Sequence, residues 1–242
     1  MEATAVTTPV KIILGSSSIA RRKILAEMGY EFTVTSADID EKCIRKEKPE
    51  ELVMALAEAK SVNCMSASQA NAIIDKLQAD NNQEKDAEFT ILIAADTAEA
   101  ILQRLPAHDH VKDAQPALLI TCDQVVVYEG AVREKPSSEE EARAFMKGYS
   151  GGHAATVSSV LVTNLKTGFS KVEYDRVEIY FHEIPDEVID KLIEEGLVLR
   201  VAGGLIIEHP LIVPYVKEVV GTTDSVMGLP KALTEKLLRE AL

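Results

Sequence analysis

Residues 118–127, LLITCDQVVV, constrain this chain more than any other segment. A run so rich in aliphatic and β-branched side chains reads as a buried strand, which requires packed layers on either side of its sheet. Asp123 interrupts that run. An ionised carboxylate in such a place is costly unless it meets a cation, a metal or a hydrogen-bond donor, so the residue needs a functional explanation. Twelve residues on, Lys135 and Pro136 follow a Glu129-Gly130 turn. A hairpin there carries Lys135 back toward Asp123, either as part of a site or as a simple Asp–Lys pair.

Elsewhere strand and helix patterns alternate, which predicts an α/β fold. Residues 12–14 read as a strand and 19–28 as a helix closed by Gly29; residues 32–36 read as a second strand leading into the acidic DIDEK. Pro49, Glu50 and Glu51 open a helix with Leu52, Val53 and Leu56 on one face and Lys60 one turn further on. Ser138 with Glu141 predicts a capping box for a helix ending near Gly148. Strands follow in SSVLVTN and VEIYFHEI, the second with Val177, Ile179 and Phe181 alternating. A helix over 185–195 stops at Gly196, and a last helix follows Pro230, with Ser225 expected to cap or position it.

The segment KIILGSSSIARRK, residues 11–23, joins a strand to a helix through a serine-rich turn. Unpaired N–H groups at the helix start, the hydroxyls of Ser16, Ser17 and Ser18, and the guanidinium groups of Arg21 and Arg22 suit a polyphosphate. Taken alone, the same residues also describe a serine-capped helix with solvated arginines. The spacing excludes a P-loop, which needs Gly-x-x-x-x-Gly-Lys-Ser/Thr.

A net charge of −13 argues against general attraction to nucleic acid or an anionic membrane, so an anionic ligand must be drawn by a local site. Three scattered cysteines, Cys43, Cys64 and Cys122, lack metal-ligand spacing and predict ordinary thiols in a reducing compartment. The opening residues lack a signal-peptide pattern and no apolar stretch approaches the length of a membrane span, so a cytoplasmic address is expected. His153 reads as a loop or strand-entry residue, and His108, His110, His182 and His209 show no shared metal-ligand spacing.

Residues 72–97 resemble residues 100–124 at an offset of 27 to 28 positions, with Lys85-Asp86-Ala87 matching Lys112-Asp113-Ala114 and ILIAAD matching LLITCD. Two copies are too few for a solenoid. The expectation is one domain over 1–242, built of two lobes, with a tandem-duplicated insertion at 61–99. The duplication offers two candidate aspartates, Asp96 and Asp123. Only Asp123 is followed by the hairpin and Lys135-Pro136, so Asp123 is preferred.

In order, LGSSSIARRKIL, DIDEK, LAEAK, CDQVVVYEGAVREKP, SGG, AGGLIIEHP and SVMGLP resemble the Maf-like nucleoside triphosphate pyrophosphatases, from about residue 11 to residue 230. The resemblance implies an elongated mixed α/β sheet with flanking helices and two lobes around a cleft. It also implies cleavage of a nucleoside triphosphate between its α and β phosphates, with Mg²⁺ or Mn²⁺. Carried over by motif, Asp123 is the general base, Lys60 and Lys135 hold developing charge, and Glu41 joins Asp123 in holding the metal. Ser16, Ser18, Arg21 and Arg22 bind phosphate. Ile19 and Ala20 replace the family's usual proline and first arginine, so Ala20 falls at a substrate-binding position. Gln124 after Asp123 and Glu208 within AGGLIIEHP resemble the branch acting on 7-methylguanosine triphosphate. A carboxylate can accept from the guanine N1 and exocyclic amino groups and favours the positive charge of N7 methylation. The alternatives are a pyrophosphatase preferring dTTP and UTP, or a non-catalytic nucleotide-binding regulator of cell division. The expected partner is the nucleotide alone, without nucleic acid or membrane; the oligomeric state, a homodimer included, stays open.

Overall fold

Within residues 10–35, 39, 41–64 and 117–242, which the computed structural model describes, seven strands make one open mixed sheet flanked by helices. In chain order the elements are β1 (Lys11–Gly15), α1 (Ile19–Glu27), β2 (Phe32–Thr35), a 3-10 turn (Glu41–Cys43), α2 (Pro49–Cys64), β3 (Ala117–Tyr128) and β4 (Ala131–Arg133). Then come α3 (Glu139–Tyr149), β5 (His153–Asn164), β6 (Ser170–Phe181), α4 (Asp186–Glu195), β7 (Val216–Val220), α5 (Thr223–Val226) and α6 (Lys231–Glu240). The strands lie in the order β2-β1-β3-β5-β6-β7, with β4 beside β3. The α/β expectation holds. Asp96 and most of the expected insertion lie outside the described residues, but Ser61–Cys64 at its start form the last turn of α2.

Alternation along β3 decides what packs where, because successive side chains of a strand point to opposite faces. Val125 and Val127 join Leu52, Val53 and Leu56 of α2 on one face. Leu118, Ile120 and Cys122 join α1 and α6 on the other. A third cluster gathers Met146 and Tyr149 of α3, Ile189, Leu192 and Ile193 of α4, and the alternating Val177, Ile179 and Phe181 of β6. Each fully buried aliphatic side chain contributes roughly 1.5–3 kcal/mol relative to exposure.

Local signals set the helix ends. Ser138 Oγ accepts from Glu141 N–H at 3.2 Å, but the Glu141 carboxylate turns to Ser137 N–H (2.6 Å) and Oγ (2.7 Å), so the return arm of the capping box falls one residue early. Gly196 ends α4 in the left-handed conformation, φ 71°. At α6 the expected role of Ser225 passes to its neighbour: Asp224 Oδ2 accepts from Lys231 N–H at 2.6 Å, while Ser225 Oγ is buried without a partner among the described residues.

Candidate active site

The edge of β3 opposite β5 changes neighbour partway along. β1 pairs with it in parallel from Ala117 to Ile120 and β4 pairs antiparallel from Val126 to Tyr128, so residues 121–125 keep a ladder partner only in β5. The opening lies just beyond the carboxyl end of β1, where sheets of this kind place their ligands. Asp123 occupies its centre. Its side chain shares the α2 face with Thr121, whose Oγ1 donates to Ala57 O at 2.7 Å.

Lys60 projects from the inner face of α2 into this opening. Its ammonium donates to Asp123 Oδ1 and pairs with Glu41 Oε1 at 2.8 Å, so one cation joins two carboxylates. Lys60 and Asp123 are 9% and 6% exposed, so removing Lys60 would take from the Asp123 carboxylate its ion-pair partner, whereas removing Asp123 leaves Lys60 its second partner, Glu41. Burial raises the Asp123 carboxyl above its ordinary range; Lys60 and then Arg21 oppose that rise, and Glu41 adds to it. Burial also works to raise Glu41, but the charge and hydrogen bond of Lys60, with Lys135 and Arg21 further off, outweigh it and hold that carboxyl low. The hairpin therefore brings Lys135 within electrostatic reach of Glu41, while the ion-pair partner of Asp123 is Lys60.

The serine-rich turn closes one side of the opening. Ser16 is buried and its Oγ accepts from Ser18 N–H (3.2 Å) and from Arg21 Nη1 (3.3 Å). Ser18 is the N-cap of α1, accepting from Arg21 N–H at 3.4 Å. Arg21 is already engaged: Nε donates to Gly228 O at 2.9 Å and Nη1 to Cys122 O at 3.0 Å, on the strand residue before Asp123. Arg22 differs, since its Nε is buried with no partner among the described residues. Ala20 lies half-buried in the first turn of α1, and that turn holds no acidic residue to compete with an anion.

Gln124 points to the face opposite Asp123. Its Nε2 donates to Ser158 Oγ (3.0 Å), Ser225 O (3.2 Å) and Val226 O (2.7 Å), so its amide secures the segment after β7. Glu208 is exposed, and no hydrogen bond or ion pair among the described residues ties it to Lys60 or Asp123. Residues that the sequence did not single out complete the surroundings. Arg45 Nη1 reaches both Glu41 O (3.1 Å) and Glu134 Oε1 (3.3 Å), joining the Glu41 turn to the Lys135 segment. Ser158 and Gly228 complete the contacts of Gln124 and Arg21.

Chemically, the arrangement offers a buried carboxylate, two lysines and an anion-favouring helix start around one opening. Glu41 and Asp123 reach the same ammonium, so both carboxylates face the one point where a small divalent ion could be held. Such ions take one or two protein carboxylates and complete their shell with phosphate and water. Among the described residues no group of three or more His, Cys, Asp or Glu could form a fuller cage. Cys64 and Cys122 are pushed up to about 11 by burial, which keeps both as inert thiols. No helix among the described residues is long and apolar enough to cross a membrane.

The family model described as "Maf-like protein" matches residues 11–98 and again 72–241. The two matches overlap at 72–98. A 7-methyl-GTP pyrophosphatase of Dictyostelium discoideum is 34% identical over 95% of this chain and 96% of its own length. A dTTP/UTP pyrophosphatase of Clostridium acetobutylicum is 28% identical, again over 95% of this chain and 96% of its own. A nucleoside triphosphate pyrophosphatase of Thermosynechococcus vestitus is 26% identical over 95% and 92%.

Proposed function

The chain belongs to the Maf family, and from that premise we propose that it hydrolyses a nucleoside triphosphate, 7-methyl-GTP or another modified nucleotide, to the monophosphate and pyrophosphate. The observation that carries this reading is the single ammonium of Lys60 joining Glu41 and Asp123 beside the serine-rich turn. The triphosphate enters the opening of β3 with its anionic tail toward the start of α1, where backbone N–H groups and the free donor of Arg22 receive it. Arg21 holds the turn against Cys122 and Gly228, which fixes where those donors point.

Asp123, ionised, takes a proton from the water that attacks the α-phosphorus. Its desolvated setting makes it a stronger base than an exposed aspartate. The bond to the bridging oxygen breaks as water adds, and Lys60 and Lys135 hold the charge that grows on departing pyrophosphate. Glu41 and Asp123 would hold Mg²⁺ or Mn²⁺, which supplies Lewis-acid polarisation of the phosphate oxygens when bound. The 7-methylguanine preference is supported by the identity to the Dictyostelium relative and by Gln124 and Glu208. The overlapping family matches support reading residues 72–98 as an extra copy of a family segment. The half-buried thiol of Cys64 and the buried thiol of Cys122 suit a cytoplasmic address.

A panel of 7-methyl-GTP, GTP, dTTP and UTP with pyrophosphate detection tests the proposal. Release is expected to be fastest from 7-methyl-GTP. A clear pyrimidine preference would reassign the base, and no release from any substrate would remove the enzymatic reading.

A further inference from the structure

Arg133, two residues before Lys135, has an unusual setting for a guanidinium. Its Cζ lies 3.9 Å from the ring centre of Tyr128, 4.5 Å from Phe145 and 4.9 Å from Tyr149, and Nη1 donates to Phe145 O at 3.0 Å. Among the described residues no carboxylate pairs with it. Gly148 leaves room for the group, since a Cβ there would stand 3.1 Å from Nη2 and 3.2 Å from Nη1. Three π faces and one carbonyl therefore hold a cation that most proteins would give to an acid.

The cage reaches beyond Arg133. Tyr149 is 1% exposed and its hydroxyl donates to Gly203 O at 2.9 Å, while Gly203 N–H donates to Glu134 O at 2.8 Å. Gly203 adopts φ 61°, and a Cβ there would lie 2.6 Å from Val126 Cβ and 2.8 Å from the Tyr149 hydroxyl, so the turn sits directly against the cage. The next glycine faces buried Pro136, the residue after Lys135. Gly203 is thus fastened at its carbonyl by Tyr149 and at its N–H by Glu134. That turn leads within five residues to Glu208, and Glu134 also pairs with Arg45 beside Glu41.

We infer that Arg133 and Tyr149 are positioning residues that set the base-reading segment 202–208 against the phosphate-holding Lys135. They act on the nucleotide without touching it. The inference rests on the nucleotide-binding reading above, and it assigns base selectivity to a device on α3 and β4.

Calorimetry with the α,β-methylene analogues of GTP and UTP separates this role from simple support of the fold, because it reads affinity without turnover. Tyr149→Phe keeps the ring and removes one hydroxyl bond. It is expected to weaken the GTP analogue five- to tenfold and the UTP analogue less than twofold. Arg133→Lys keeps the charge but loses the planar stacking, and is expected to weaken both analogues with the larger loss for GTP. Equal losses for the two analogues, or unchanged affinities with only a lower melting temperature, would overturn the inference. A wild type that binds the analogues but hydrolyses no triphosphate would sink the activity reading alone, and one that binds neither of them nor the α,β-methylene analogue of 7-methyl-GTP overturns both.

Discussion

At the scale of single residues, Asp123 and Glu41 share one lysine and respond to pH in opposite directions. Burial raises Asp123, so its native state favours the protonated form: its contribution to stability is present below its ordinary value of 3.8 and is lost as pH rises through the higher native value. Glu41 is held low despite burial, so its contribution is present above 4.5 and is lost as pH falls through its native value. As the proposed general base, Asp123 must be ionised. The acid limb of kcat/KM is therefore expected above the range of a solvated aspartate, and Lys60→Met should move it further toward neutrality. Asp123→Asn should reduce turnover about 10²- to 10⁴-fold, the usual contribution of a positioned base. It should also melt no lower than wild type at neutral pH, since burial outweighs the pairing with Lys60. A limb at the ordinary position, or a markedly lower melting temperature for Asp123→Asn, would contradict this balance. The need for a partner was legible in the apolar run around Asp123; the partner's identity was not. The hairpin pointed to Lys135, whereas the ion pair forms with Lys60, 63 residues away, because α2 covers the face that Asp123 shares with Val125.

Between elements, the segment after β7 is fastened to the opening by Gly228. Its carbonyl accepts from Arg21, its φ of 93° lies in the region that favours glycine, and a Cβ would crowd Arg21 Nε at 3.1 Å and Gln124 Oε1 at 3.2 Å. Gly228→Ala should cost about 1–3 kcal/mol from backbone conformation alone, with further loss if Arg21 shifts. Thermal unfolding and nucleotide affinity should fall together. A variant that binds nucleotide normally despite a lower melting temperature would show that the Arg21 contact is not needed for binding. Strand and helix periods were readable at this scale, as in Val177, Ile179 and Phe181 of β6, all inward. The pair Asp123-Gln124 shows the limit. Adjacent in sequence and carried over together as site residues, they leave a strand on opposite faces, and Gln124 is consumed by Ser158, Ser225 and Val226. The motif names both residues but does not say which face of the strand each side chain takes. Arg133 and Tyr149 were equally silent, since an aromatic cage drawn from a hairpin and a helix leaves no spacing pattern to read.

For the whole molecule, the overlapping family matches and the internal repeat bear on the same segment. Ser61 Oγ meets Thr163 Oγ1 at 3.3 Å and Cys64 packs beside Leu119, so α2 must be kept to its last turn in any shortened chain. Excising residues 72–99 joins Asn71 to Ala100 and removes one copy without touching a described element. Such a chain should express at higher soluble yield and keep its activity, since one copy of the repeated segment remains. Loss of activity on excision would assign a working role to the extra copy. The ammonium wedged between Glu41 and Asp123 also shapes how the resting protein meets its ionic surroundings. With that pair of acids already counterbalanced from within, dissolved Mn²⁺ on its own finds little to hold. On the proposed reading the nucleotide would arrive carrying its own counter-ion and draw Lys60 aside, so a Mn²⁺ titration of the nucleotide-free protein should stay nearly silent until the lysine is replaced by Gln.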